Sequence, residues 1–307
     1  MAGGPCVSVV IPTRGRPASL ERAMRSVFAQ TKVALDAVEL VIVDNDASQG
    51  ARPTVERLTA EAPFAVVYAC EPAPGVASAR NRALVASRAP LIAFLDDDEE
   101  ASPGWLAALL EVQARFDADV VFGPVRGYAP EPVRQHRPYL ERFFSREGPA
   151  EATVIDNQYG CGDSLIRRSA LPPRDAPFSL LQNLIGGEDD ILFQEMRQAG
   201  AIFAWAPAAW VFEHPEPGRL TLHYALRRAF AYGQGPTYAC IHQQPPDRLG
   251  AARWMMVGVA QTVVFGAWAA AKWLARAPDR AFALDRAARG LGKLLWFPPF
   301  KPRFYGG

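Results

Sequence analysis

LIAFLDDDEEASPGW, residues 91–105, sets an apolar run directly against five consecutive acids. Residues 91–95 are short and apolar on both faces, which reads as a strand buried between two layers. Asp96 to Glu100 then stand where that strand leaves the core. One account is a solvated turn that opens a helix. Ser102 is a good N-cap, Pro103 falls in the first turn, and acids suit the positive end of a helix. That accounts for Glu99 and Glu100 as solvated charge. It accounts poorly for three aspartates abutting an apolar strand. Carboxylates are hard ligands for Mg2+ or Mn2+. An Asp-x-Asp spacing can turn Asp96 and Asp98 to one side, with the Asp97 side chain pointing away.

Similar apolar runs recur at residues 7–11, 40–43, 64–69 and 120–125, and as short runs at 203–206 and 210–212. Between them lie helical patterns at 18–30, 53–60, 77–87, 105–116 and 189–199. Strands that alternate with helices and are apolar on both faces predict an α/β fold with a mainly parallel central sheet covered on both sides. In such sheets ligands bind outside the carboxyl ends of the strands. PTRGR (12–16), DNDAS (44–48) and DDDEE (96–100) each follow such an end, so they are expected to converge on one pocket.

The composition, 50% apolar and 21% charged over 307 residues, is that of a globular chain with a sizeable core. The net charge of +1 hides an asymmetry. Residues 216–307 carry thirteen Lys/Arg against four Asp/Glu, a net +9, and residues 1–215 carry twenty against twenty-eight, a net −8. An acidic body with a basic, aromatic tail points to an anionic surface. A membrane fits better than nucleic acid, because residues 254–271 are uncharged and just long enough to span. Ala, Gly, Gln261 and Thr262 make that run only weakly hydrophobic, while Trp254, Trp268 and Trp273 suit an interfacial belt. Lys293, Lys301 and Arg303, interleaved with Trp296, Phe297, Phe300, Phe304 and Tyr305, suit a surface anchor on anionic lipid. The alternative is a helical appendage packed on the body. Four widely spaced cysteines and an N-terminus without a positive n-region give a reducing cytoplasm as the expectation. Two parts are expected: residues 1–235, catalytic, and 236–307, a helical basic/aromatic region joined through a Gly/Pro-rich linker.

Taken in order, the motifs VSVVIPTRGRPASLERAMRSVFAQT, LVIVDNDAS, PGVASARNRAL, FLDDDEEASPGWL, GCGDSLIRRSAL, GGEDDILFQEMRQAG and VFEH resemble the family 2 glycosyltransferases of the GT-A fold. The resemblance covers about residues 7–235. It implies an inverting transferase that uses a nucleotide-sugar donor and Mn2+ or Mg2+. Thr13 and Arg14 then lie in reach of the nucleobase or ribose. Asp44 is placed to accept a ring N–H of uracil, with Asp46 as the alternative. Arg80 is placed on base or phosphate, and Asp96 near the ribose, with Asp97 beside it in the donor site. Asp98 would hold the metal, with His214 of VFEH as a further ligand. Asp189 would be the general base, with Glu188 beside it on acceptor or donor hydroxyls.

Each residue also has a plainer reading. Asp44 and Asp46 suit Asx-turns, Arg80 a solvated helix face, Asp189 and Asp190 compensation of a helix N-terminus, and His214 a structural role. Asp163 departs from the family's frequent Asn. At most one span, and RRAFAYGQG where processive members carry QxxRW, favour single addition of a sugar to a glycan or lipid-linked acceptor at the inner face of the cell membrane. The alternatives are a sugar nucleotidyltransferase, for which PTRGRP is short of glycine, and a catalytically silent nucleotide- or glycan-binding scaffold.

Overall fold

A computed structural model describes residues 4–131, 133, 135–180 and 187–302. Gly186 of the GGEDD motif, and Arg303, Phe304 and Tyr305 of the tail, lie outside the described residues. Four parallel strands set the frame: β1 (Val7–Thr13), β2 (Val38–Asp44), β3 (Ala65–Cys70) and β4 (Leu91–Phe94). Their side chains alternate between two cores. Val7, Val9 and Ile11 of β1 and Leu40 and Ile42 of β2 face one cluster, and Val10, Val41 and Val43 face the other. Period-two alternation with both faces apolar requires a helical layer on each side. Helices α1 (Pro17–Phe28), α2 (Arg52–Thr59) and α4 (Trp105–Phe116) supply one layer, and α3 (Val76–Ala86) and α6 (Glu188–Gln198) the other.

The sheet continues through β9 (Ser164–Arg167), β6 (Val120–Phe122), β10 (Phe203–Trp205) and β8 (Thr153–Val154), in the order β3-β2-β1-β4-β9-β6-β10-β8. β9 runs antiparallel to both its neighbours, β6 and β10 are parallel, and β8 is antiparallel to β10. The sheet is thus mainly parallel, as expected. A second sheet joins β5 (Glu99–Ala101), β11 (Val211–Glu213) and β7 (Val125–Gly127).

Three expectations change. The run 120–125 is two strands in different sheets. Pro124 has no N–H for a ladder, and a Cβ on Gly123 would lie 2.3 Å from the Ala209 carbonyl oxygen. Glu99 and Glu100 are not a solvated turn: they form β5, paired antiparallel with β11, and Glu99 is buried. Ser102 caps nothing, since α4 starts after Gly104 without a side-chain cap.

Among the described residues the chain divides into two compact units, one of residues 4–126 and 145–214, the other of 127–144 and 215–302. The second unit is helical: α5 (Arg137–Phe143), α7 (Leu222–His242), α8 (Arg248–Leu274) and α9 (Arg280–Leu294). The stretch expected as a Gly/Pro-rich linker is continuous helix within α7, Pro236 included, and residue 235 lies inside it. Gly233 of that stretch serves close packing: a Cβ there would sit 2.2 Å from the Arg289 carbonyl oxygen, and one on Gly292 of α9 would sit 2.1 Å from that of Phe230. Lys293, expected on a lipid surface, is buried and donates to Gln261 Oε1 at 3.0 Å.

Candidate active site

The parallel register fixes the site. Thr13 pairs with Asp44, Asp44 with Cys70, and Val10 with Phe94. The carboxyl ends of β1, β2 and β4 therefore reach one edge together, where the rule for open α/β sheets places the ligand. Three residues past the Val10–Phe94 pair, Thr13 Oγ1 donates to Asp97 Oδ2 at 2.8 Å. Arg16 Nη1 donates to Asp97 Oδ1 at 3.0 Å and lies 3.6 Å from Asp98 Oδ2. Asp97 is thus no spacer. It ties the first loop to the acidic run from a buried position, and burial pushes its carboxyl up to about 6 against the pull of Arg16. Sequence reasoning missed Arg16, whose one signal was its place two residues after Arg14 in PTRGR. Arg14 itself is exposed, with its charge near Asp46.

Asp44 is fully buried. Its Oδ2 accepts the Ala51 N–H at 2.8 Å and the Tyr68 hydroxyl at 2.9 Å, while its Oδ1 has no hydrogen-bond partner among the described groups. A carboxylate oxygen left without a donor is costly, and a ligand N–H is the kind of group it lacks. Asp46 is half-buried and accepts the Ser48 N–H at 2.9 Å, an Asx-turn, so it follows the plainer reading.

Arg80 overturns its plainer reading. It is buried near the start of α3, is ion-paired to Glu188, and lies 3.5 Å from Asp96 Oδ1 and 3.8 Å from Asp189 Oδ2. Burial works against its charge, but Cys161 and the carboxylates of Glu188, Asp96 and Asp189 outweigh it and raise its pKa. One guanidinium therefore joins the two acidic clusters, which lie far apart in sequence. Glu188 opens α6 in a buried position, and burial raises its pKa against the pull of Arg80. Asp189 is partly open. Its Oδ2 accepts the Cys161 N–H at 3.0 Å and its Oδ1 the Asp190 N–H at 3.0 Å. Asp190 is exposed, beside Gln158.

Residues 160–163 (GCGD) form the floor between the clusters. A Cβ on Gly162 would fall 2.6 Å from Asp96 Oδ2 and 3.0 Å from Glu99 Oε1, and one on Gly160 3.6 Å from Asp189 Oδ2. Arg146 grips this loop through the carbonyls of Gly160, Gly162 and Asp163 at 3.0 Å and ties it to the Gly123 carbonyl at 2.9 Å. Nothing in the irregular sequence around Arg146 signalled that role. Asp163, which departs from the family's frequent Asn, has a packing role. It is wholly buried, accepts the Trp105 indole N–H at 2.7 Å, and lies 3.2 Å from Arg146.

His214 closes the edge. Its backbone N–H donates to the Asp98 carbonyl at 2.7 Å and its Nε2 meets Glu100 Oε2 at 3.1 Å. Burial and Arg22 hold its imidazole below the ordinary histidine pKa, with Glu100 opposing them, so the neutral ring, the form that ligates metals, is favoured. Among the described residues no three His, Cys, Asp or Glu side chains are grouped as a ready-made metal site. Asp98 and His214 do fit a hard cation that takes one or two protein ligands and completes its shell with water and substrate phosphate.

Comparison with known proteins agrees with this geometry. The family model "Glycosyl transferase family 2" matches residues 8–172. The succinoglycan biosynthesis protein ExoM of Rhizobium meliloti (strain 1021) is 34% identical over 235 residues, 74% of this chain and 73% of that protein. Validoxylamine A glucosyltransferase of Streptomyces hygroscopicus subsp. jinggangensis (strain 5008) is 34% identical over 149 residues, 48% of this chain and 34% of that protein. Among solved structures, the mannosyltransferase PcManGT from Pyrobaculum calidifontis, in complex with GDP-Man and Mn2+, superposes with a TM-score of 0.60 at 18% identity, covering 95% of this chain and 87% of that one. S. aureus TarS 1-349 in complex with UDP gives 0.53 at 13% identity, covering 93% and 89%. These structures share the fold, a GT-A-type α/β arrangement.

Proposed function

Because the chain belongs to glycosyl transferase family 2, and so is a glycosyltransferase rather than a nucleotidyltransferase or a silent scaffold, we propose that it moves one sugar, with inversion, from a nucleotide diphosphate donor to an acceptor hydroxyl. A UDP-sugar is the favoured donor, and a glycan or lipid-linked acceptor of the cell envelope the favoured acceptor. The observation that carries this reading is Arg80, seated between Asp96 of the strand-end cluster and Glu188 and Asp189 of the helix-start cluster. Transfer needs a donor site and a base within one bond-forming distance, and Arg80 draws the two clusters together.

In this reading Asp44 accepts a ring N–H of the base through its unpartnered Oδ1, and Thr13 and Arg14 line the nucleoside side. Asp96 and Asp97 shape the ribose and diphosphate region. Asp98 and His214 would hold Mn2+ or Mg2+, which neutralises the charge of the departing diphosphate when bound. The Mn2+ in the mannosyltransferase complex supports this choice of ion. Asp189 takes the proton of the attacking hydroxyl. The Cys161 N–H fixes its carboxylate, Arg80 orients it, and Gly160 leaves room for the sugar beside it. Glu188, locked to Arg80, holds that cation in place. The exposed apolar side chains of α8 and the basic tail support a peripheral place at the cytoplasmic face of the membrane.

Asp189→Asn keeps the shape and removes the base. Transfer is expected to fall at least ~100-fold, while donor affinity, read by calorimetry, stays within about twofold. Turnover equal to that of the parent enzyme rejects the assignment.

A further inference from the structure

Asp44 ends β2 with its two carboxylate oxygens in different states. Tyr68 of β3 stands two residues from it in the parallel register, with Ile42 opposite Tyr68 and Asp44 opposite Cys70, so both side chains rise from one face of the sheet. Oδ2 accepts the Tyr68 hydroxyl at 2.9 Å and the Ala51 N–H at 2.8 Å. A carboxylate oxygen offers two lone-pair sites, so Oδ2 is filled. Oδ1 is buried and has no donor among the described groups. The Tyr68 ring is itself pinned. The Arg52 guanidinium lies 4.5 Å from its centroid and is held there by Gln49 Oε1 at 2.6 and 2.8 Å. The neighbouring polar side chains are committed elsewhere. Asn45 donates to the Glu71 and Ala73 carbonyls and accepts the Gly75 N–H, and Asp46 accepts the Ser48 N–H.

We propose that Tyr68 is a specificity-determining residue of the donor site. By filling Oδ2 together with the Ala51 N–H, it leaves Asp44 one acceptor, and one acceptor selects uracil. The pairing edge of uracil carries a single ring N–H between two carbonyl oxygens. That of guanine sets two donors side by side, N1–H and the N2 amino group, and needs both oxygens of a carboxylate. With Oδ2 filled, the second donor is left unpaired in a desolvated place, which a site built on hydrogen bonds rejects. Cytosine presents a lone pair at N3, which the carboxylate repels. The inference rests on the reading of Asp44 as the base contact of the donor, and adds how that contact chooses the base.

The test measures binding of UDP, GDP and CDP to the full chain by calorimetry with Mg2+, without acceptor. The parent is expected to bind UDP at least ~10-fold more tightly than GDP or CDP, the effect of one unmatched hydrogen bond to a charged group. Tyr68→Phe keeps the ring under Arg52 and frees one lone-pair site of Oδ2. It is expected to narrow the UDP-to-GDP ratio at least ~10-fold and to leave CDP rejected. Asp44→Asn gives an independent readout. The Ala51 N–H and the Tyr68 hydroxyl both donate, so the amide must turn its oxygen to them and its NH2 to the base. An NH2 suits the cytosine lone pair and not the uracil N–H, so the preference is expected to reverse from UDP to CDP. Circular dichroism checks the fold of both variants. A parent that binds none of the three probes removes the donor reading along with the inference. A parent that binds GDP or CDP as tightly as UDP, a ratio unchanged in Tyr68→Phe, or no turn towards CDP in Asp44→Asn overturns the role of Tyr68 and leaves the transferase reading standing.

Discussion

Asp163 sits wholly buried with its backbone in the left-handed region at φ 54°, its Oδ1 on the Trp105 indole and its Oδ2 beside Arg146. Burial pushes its carboxyl up to about 7 from an ordinary 3.8, against the pull of Arg146. The sign follows from linkage. The folded state keeps a proton that the unfolded state releases above about 3.8, so this contribution to stability is full below that pH and is lost as pH rises towards 7. The loss amounts to about 4 kcal/mol at most. Asparagine tolerates the same backbone and can still accept the indole N–H. Arg146 retains its four carbonyl acceptors. Asp163→Asn is therefore expected to melt above the parent at pH 8 and near it at pH 5. Parallel melting curves at both values, with the variant lower throughout, would show that the Arg146 ion pair outweighs the burial of charge.

Gly233 and Gly235 lie two residues apart on α7 and make opposite demands. Alanine raises helix propensity at either by about 1 kcal/mol. At Gly235 no atom lies within 4 Å of the added Cβ, whereas at Gly233 the Arg289 backbone stands at 2.2 Å. Backbone cannot step aside as a side-chain tip can, so Gly233→Ala is expected to cost about 1–3 kcal/mol net by prying α7 from α9. Gly235→Ala should raise the melting temperature slightly. Matching shifts in both variants would contradict the packing. The pair also explains why α7 was legible as helix over residues 222–232 but not beyond. Gly and Pro read as linker by local rules, and only the approach of α9 shows that Gly233 is there for contact. The same holds for residues 120–125, where one apolar run hides two strands, and for Glu99, a charge that pattern alone places in water. By contrast, the four parallel strands and the convergence of PTRGR, DNDAS and DDDEE were legible, because buried β-runs and strand-end polar loops are local signals with one common solution. Arg16, Arg80 and Arg146 owe their positions to partners 14 to 108 residues away, and no window of sequence contains those partners.

At the scale of the molecule, charge is divided along the chain, −8 over residues 1–215 and +9 over 216–307, and α8 adds apolar surface to the basic part. α8 has 27 residues with a mean hydropathy of 1.4 over its most apolar stretch, of which 11% is buried. It is long and apolar enough to cross a membrane by length and composition. Two forces that differ in their response to salt set the expected behaviour. Lys and Arg are drawn to anionic headgroups by ~1 kcal/mol each, a pull that salt screens. Apolar side chains gain ~25 cal/mol per Å2 removed from water, a gain that salt does not weaken. The full chain is therefore expected to sediment with phosphatidylcholine–phosphatidylglycerol vesicles at low salt, bind pure phosphatidylcholine weakly, and detach partly but not wholly as salt rises. Val259→Asp with Val263→Asp changes two exposed side chains on one face of α8 and so spares the fold. It is expected to remove the salt-resistant part and leave the salt-sensitive part. Extraction of native membranes at alkaline pH separates the two placements of α8: release into the supernatant matches a helix lying in the interface, and retention matches one that spans. A chain that never sediments with either vesicle would mean that α8 and the basic tail serve packing or a protein partner, and would remove the membrane from the proposed function while leaving the catalytic reading untouched.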